Sequence, residues 1–312
     1  MPSATSLSRL LEARANLVAD GALATELEAR GCNLDDPLWS AKVLVEQPHL
    51  IRYVHSDYFA AGAGIATTAS YQATPLGFAR RGLSATEALE LVALSVSLAD
   101  EARRGHLAAH PDAGPLLVAG SVGPYGAYLS DGSEYRGDYV LSPAAFEDFH
   151  RSRIAALVDA GADVLACETL PSFAEAEALL ALVREYGVEA WFTFSLQDGG
   201  HLADGTPLEA VAALLDAEPL VAAVGVNCVP LRLVSPALDA LGRATATPLM
   251  AYPNSGETFD PVAKTWTAGT DAAAAGVPGL AQGAGAWRGL GARILGGCCR
   301  TTPADISALA RA

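Results

Sequence analysis

The chain has 312 residues, 51% of them hydrophobic and only 18% charged, which supports a large buried core and excludes a disordered protein. A formal net charge of −15, with no run of lysines or arginines, argues against nucleic acid as a partner, because phosphate backbones are repelled at long range. The apolar runs are broken by Gly, Pro or charge well before the roughly 20 residues a bilayer span requires, and Met1–Arg9 has no signal-peptide core, so a cytoplasmic protein with no membrane contact is expected.

Along the chain, short β-rich apolar runs alternate with longer Ala/Leu-rich stretches, the pattern of βα units around a parallel sheet. The first predicted strand, Leu17–Asp20, runs into Asp20-Gly21, and the next, Ile65–Ser70, carries Thr67-Thr68. Leu116–Val122 contains Gly120-Ser121, and Val164–Glu168 leads to Glu168-Thr169. Trp191–Ser195, Ala222–Asn227, Leu249–Tyr252 and Arg293–Gly296 follow, and their near-continuous hydrophobicity predicts burial on both faces. Between strands lie helical stretches such as Pro143–Ala160, with Ser142 as N-cap and Pro143 at the first helical position, and Ser172–Tyr186.

Eight such units predict a single-domain α/β chain, a (β/α)8 TIM barrel spanning 1–312. The open Rossmann-type sheet is the rival, but Asp20-Gly21-Ala22-Leu23-Ala24 stands where a G-x-G-x-x-G would follow the first strand. In a barrel the polar residues that end the strands gather at one C-terminal rim, where active sites of this fold are built. Any one of these clusters, taken alone, also reads as ordinary turn chemistry.

Five cysteines, an odd number, do not suggest a disulfide framework and direct attention to metal or thiol chemistry. Cys228 closes the sixth predicted strand, and Cys298 and Cys299 close the eighth. Only one strand separates those two, so their ends can bring the thiols within about 4 Å of a common point. Side chains alternate on an extended strand, so the two adjacent cysteines can share an ion only if the backbone leaves β geometry. Gly296-Gly297 is expected to allow this, through its conformational freedom and the close approach it permits. Three thiolates without a neighbouring histidine suit Zn2+, and three protein ligands with an open fourth position mark a catalytic rather than a structural ion. Spacing leaves two alternatives: inert buried thiols, or a redox pair at Cys298/Cys299. Cys32, in a polar loop, and Cys167, beside Glu168 on alternating strand geometry, are expected to be non-ligands.

The assembled motifs resemble the homocysteine S-methyltransferase family, and the match runs from Asp20 to Ile306. It is carried by Asp20-Gly21-Ala22 with Thr25-Glu26-Leu27, by Thr67 to Gln72, and by Gly120 to Gly126 with Asp131 to Gly137. Cys167-Glu168-Thr169, Gly225-Val226-Asn227-Cys228, Tyr252 to Glu257 and Gly296 to Pro303 complete it. The resemblance implies zinc on Cys228, Cys298 and Cys299, with the sulfur of homocysteine as fourth ligand and Asp20 and Glu168 holding its ammonium group. Thr68, Ser70 and Asn227, in the matching rim segments, are further candidates for substrate contact. It also implies in-line methyl transfer from an onium donor to the zinc-bound thiolate, forming methionine.

Donors differ within that family. Only 13 residues follow Cys299, and the Asp131–Asp138 loop is similar to the short branch, so S-methylmethionine is the expected donor and S-adenosylmethionine the slower one. Tyr71, Tyr125, Tyr128 and Trp266 are candidate aromatic faces for a cationic donor. A selenohomocysteine or selenocysteine acceptor, or a non-enzymatic zinc or thiol redox sensor, are the alternative readings. Oligomeric state is not legible.

Overall fold

The computed structural model describes residues 6–216, 218–260, 265–267 and 279–312. Eight strands form one parallel sheet: β1 (Leu17–Val18), β2 (Ile65–Thr67), β3 (Leu117–Val122), β4 (Val164–Leu170), β5 (Ala190–Phe194), β6 (Val221–Asn227), β7 (Leu249–Tyr252) and β8 (Ala292–Leu295). Their spatial order is β1-β8-β7-β6-β5-β4-β3-β2, and a parallel bridge between Ala19 and Ile65 joins the two ends. The sheet is therefore a closed (β/α)8 barrel, as the alternation of apolar runs predicts.

Strand parity divides its core in two. Leu117 and Ala119, Val164 and Ala166, Trp191, Met250 and Ile294 fill the interior, with Leu7, Leu10 and Leu11 of the first helix packed against them. Their neighbours Val118, Val122, Leu165 and Cys167 face outward into the layer under the helices. The helix Pro143–Asp159 takes Ser142 as its cap, and Ser172 caps Phe173–Tyr186, each accepting from the backbone three residues on. Among the described residues no helix is long and apolar enough to cross a membrane.

Strand ends differ from the sequence reading where the rim is built. β2 stops at Thr67, because Thr68 and Ser70 turn their hydroxyls to one another, 2.7 Å apart. β4 continues past Glu168 to Leu170, and its pairing with β5 shifts register between Cys167 and Leu170, with Thr169 in the left-handed region at φ 58°. Such an irregularity re-aims a side chain at a strand end, and here it falls at Glu168.

Candidate metal and substrate site

Three strand ends converge on the sulfur atoms. Cys228 leaves β6 at φ 54°, a left-handed conformation that costs a β-carbon-bearing residue about 1–2 kcal/mol, and its N–H donates to the Tyr252 carbonyl at 3.1 Å. Beyond β8, Cys298 N–H donates to the Pro253 carbonyl at 2.8 Å, and Ser255 N–H donates to the Cys299 carbonyl at 3.0 Å. The segment after β7 thus sews the β6 and β8 ends together.

The roles of Gly296 and Gly297 differ from the sequence expectation. Neither has a positive φ, and the left-handed residue of this turn is Arg300 at 65°. They are glycines because the chain has no room: a Cβ on Gly296 would lie 2.9 Å from the Ala19 methyl, and one on Gly297 2.3 Å from Thr301 Oγ1. This close approach is between chain segments. It lets Gly297 N–H reach the Asp20 carbonyl at 3.0 Å, while Ala22 N–H and the Cys298 carbonyl both bind the Thr301 hydroxyl, at 3.2 and 2.7 Å.

The sulfur atoms of Cys228, Cys298 and Cys299 all lie within 4.8 Å of one another, with Cys228 and Cys299 3.6 Å apart. A tetrahedral ion with bonds of about 2.3 Å places its sulfur ligands about 3.8 Å apart, so the donor set fits a thiophilic ion such as zinc. Hydrogen bonds from Cys298 and Cys299, joined by one from Tyr135, lower the Cys228 pKa. Cys228 is buried, and Cys298 and Cys299 are partly accessible. Cys167 faces the helix layer, and Cys32 is buried in the same layer rather than lying in an open polar loop.

Asp20 and Glu168 lie beside this cluster. Burial pushes each carboxyl up to about 7, Glu168 adding to the effect on Asp20 and Cys228 to that on Glu168. Asp20 accepts from Thr67 N–H at 2.7 Å and Thr67 Oγ1 at 2.9 Å, while Glu168 accepts from the Ser121 hydroxyl. Thr68 accepts from Ser121 N–H at 2.9 Å, and Ser70 donates to the Ser121 carbonyl at 2.8 Å, so both grip the residue that holds Glu168. Asn227 is fully buried and grips Thr169 twice, its Oδ1 accepting from the Thr169 N–H at 2.7 Å and its Nδ2 donating to the Thr169 hydroxyl at 2.7 Å. These three side chains are engaged in protein contacts, locking the two strand ends that carry Glu168 and Cys228.

Among the aromatic candidates whose side chains are described, Tyr71 alone lies near the sulfurs, where Glu134, Cys228 and Glu168 all act on its hydroxyl. Tyr125 and Tyr128 pack on each other and on Phe149, and the Arg80 guanidinium covers the Tyr128 ring at 4.4 Å. The Trp266 side chain lies outside the described residues. Residue-level reading missed Tyr135, whose hydroxyl is 3.2 Å from Cys228 Sγ, and Glu134 beside it. The signal was present: both belong to the Asp131–Asp138 segment, a polar loop far too long for a simple turn.

Fold and site together define a (β/α)8 enzyme scaffold with a three-cysteine centre, able to hold a metal ion, at its C-terminal rim. The family model described as homocysteine S-methyltransferase matches residues 17–312. The chain is 59% identical to the homocysteine S-methyltransferase of Escherichia coli K12 over 97% of both chains, and 49% identical to Bacillus subtilis homocysteine S-methyltransferase YbgG over 97% of this chain and 96% of that one. The crystal structure of the metallated E. coli homocysteine methyltransferase MmuM superposes with a TM-score of 0.89 at 56% identity, covering 98% of this chain and 99% of that one. The chain belongs to the homocysteine S-methyltransferase family.

Proposed function

We propose that this enzyme transfers a methyl group from S-methylmethionine, or more slowly from S-adenosylmethionine, to the sulfur of homocysteine. The observation that carries the reading is the convergence of Cys228, Cys298 and Cys299 beside two buried carboxylates, Asp20 and Glu168. Zinc on the three sulfurs would keep an acceptor thiol, whose ordinary pKa of about 8.5 leaves it mostly protonated, in its nucleophilic thiolate form.

The protein's own residues do the remaining work. Asp20 and Glu168 carry negative charge where it is costly, and an ammonium group between them relieves that cost while fixing the amino-acid end of the acceptor. Thr67 orients Asp20, and Ser121, held by Thr68 and Ser70, orients Glu168. Tyr135 donates to Cys228 and covers the cluster from the loop side. Methyl transfer from a sulfonium to a thiolate turns two opposite charges into two neutral thioethers, so a site shielded from bulk water favours it. The step releases no proton, and the site needs no general base for it.

The test is a metal analysis of the purified protein paired with methyl-transfer assays using both donors. Expected are zinc near one equivalent and methionine formed faster from S-methylmethionine. A metal-free resting protein with a Cys298–Cys299 disulfide and no transfer from either donor would overturn the proposal.

A further inference from the structure

Glu134 is a half-buried acid with one unpaired carboxylate oxygen. Its Oε2 is closed off from solvent and has no hydrogen-bond partner among the described residues. An unpaired carboxylate oxygen in such a place is costly, and it persists in native proteins where function needs it. Its charged surroundings are Cys228, Asp131 and Arg136. The Arg136 guanidinium is already committed to Asp138 at 2.8 Å and Asp131 at 3.7 Å.

The chain also holds this residue in place. Ser195 Oγ donates to the Glu134 carbonyl at 2.6 Å, and a Cβ added to Gly126 would lie 2.7 Å from the Glu134 nitrogen. The carboxylate is therefore presented to the sulfur cluster on a braced backbone. It acts on Tyr71 and Tyr135, two aromatic residues that Cys228 also acts on.

Among the described residues the carboxylates near the sulfurs fall into two groups, Asp20 with Glu168 in one and Glu134 in the other. Asp20 and Glu168 act on each other and suffice for the single ammonium of an amino-acid acceptor. A sulfonium donor brings a second cationic centre, which must lie within a methyl group's reach of the acceptor sulfur and so beside the cysteines. We propose that Glu134 is the counter-charge for that sulfonium, flanked by the Tyr71 and Tyr135 rings, and that it makes the site select a cationic donor over a neutral thioether. The inference rests on the sulfonium-donor reading above.

The chemistry sets the kinetic signature. In the transfer, the bond between the sulfonium sulfur and its methyl carbon breaks and its electron pair stays on that sulfur, while a thiolate lone pair forms the new carbon–sulfur bond. The donor's positive charge therefore fades toward the transition state. A carboxylate beside it binds the ground state more strongly than the transition state, so it lowers the donor KM and not the barrier from the bound complex. Loss of the charge also weakens the site's hold on the spent thioether.

The experiment compares the zinc-loaded wild-type enzyme with Glu134→Gln and Glu134→Asp at saturating homocysteine. It measures steady-state kinetics with S-methylmethionine and the binding of S-methylmethionine against methionine, its neutral thioether. Glu134→Gln should raise the donor KM about tenfold or more, the loss expected for a charge-assisted contact, without lowering kcat, metal content or homocysteine affinity. It should erase the preference for S-methylmethionine over methionine, and Glu134→Asp should restore part of it. Equal weakening of both ligands, or a fallen kcat with an unchanged donor KM, would overturn the inference. A wild-type enzyme inactive with S-methylmethionine overturns the donor reading and this inference together, whereas an active wild type indistinguishable from Glu134→Gln overturns this inference alone.

Discussion

The two halves of the site are built in different ways. Cys228 stands one residue beyond β6, Asp20 two beyond β1 and Glu168 two before the end of β4. Thr67 and Ser121 lock the two carboxylates from adjacent strands, and Asn227 reaches across β5 to Thr169. Tyr135 and Glu134 instead sit on the long segment after β3, braced at Ser195 and Gly126. Tyr135 is 39% exposed where Cys228 is 6% exposed, so the loop half is the more open to solvent of the two. On the proposed reading, the barrel provides rigidity where a metal and an acceptor are positioned, and the loop faces the donor.

The sharpest test of this division is Cys228→Ala. It should deplete the metal and lower turnover by more than about a hundredfold, a loss that residues merely supporting metal ligands already reach. Cys32→Ser, in the outer layer, should leave metal content and turnover nearly unchanged, and equal effects from the two would remove the cysteine assignment. Asp20→Asn should next raise the homocysteine KM by about tenfold to a hundredfold, the worth of a charge-assisted hydrogen bond, with the donor KM unchanged. An Asp20→Asn enzyme with altered donor KM would erase the boundary between the halves.

A third effect is on stability. The Glu168 carboxyl titrates near 7 in the folded protein against 4.5 for a glutamate free in water, so its ionisation opposes folding. The cost is absent below about pH 4.5, grows as pH rises toward 7 and has a ceiling of about 3 kcal/mol above it. The melting temperature of Glu168→Gln should therefore gain on wild type between pH 5 and pH 8 in the absence of homocysteine, and a pH-independent difference would contradict the buried-charge account. The smallest change belongs to the loop half. Tyr135→Phe removes one hydrogen bond to Cys228 and should slow turnover by less than about tenfold while the metal is retained, which metal analysis and kinetics will check.

The barrel was legible in the sequence because strands buried on both faces must be continuously apolar, and the eight runs stand out against polar turns. The three cysteines were legible as a set for a related reason: each falls at the end of an apolar run, and barrel closure brings such ends together. Strand parity also excluded Cys167 correctly, since a residue next to an inward Glu168 must face outward. Thr68, Ser70 and Asn227 were legible as polar residues of the rim, but the protein groups they bind were not, because sequence shows a polar side chain and not its partner.

What the sequence by itself determined was the architecture and the chemical inventory, both of which follow from local periodicity and from residue type at strand ends. Tertiary structure alone decided how that inventory is used. It set a left-handed Cys228 held by the Tyr252 carbonyl, and glycines at 296 and 297 required by crowding rather than by torsion. It also brought Tyr135, some ninety residues before Cys228 in the chain, against its sulfur, and Glu134 into the same charged surroundings. The physical reason is that burial and hydrogen-bond satisfaction depend on contacts between distant segments, and only the closed barrel brings those segments together.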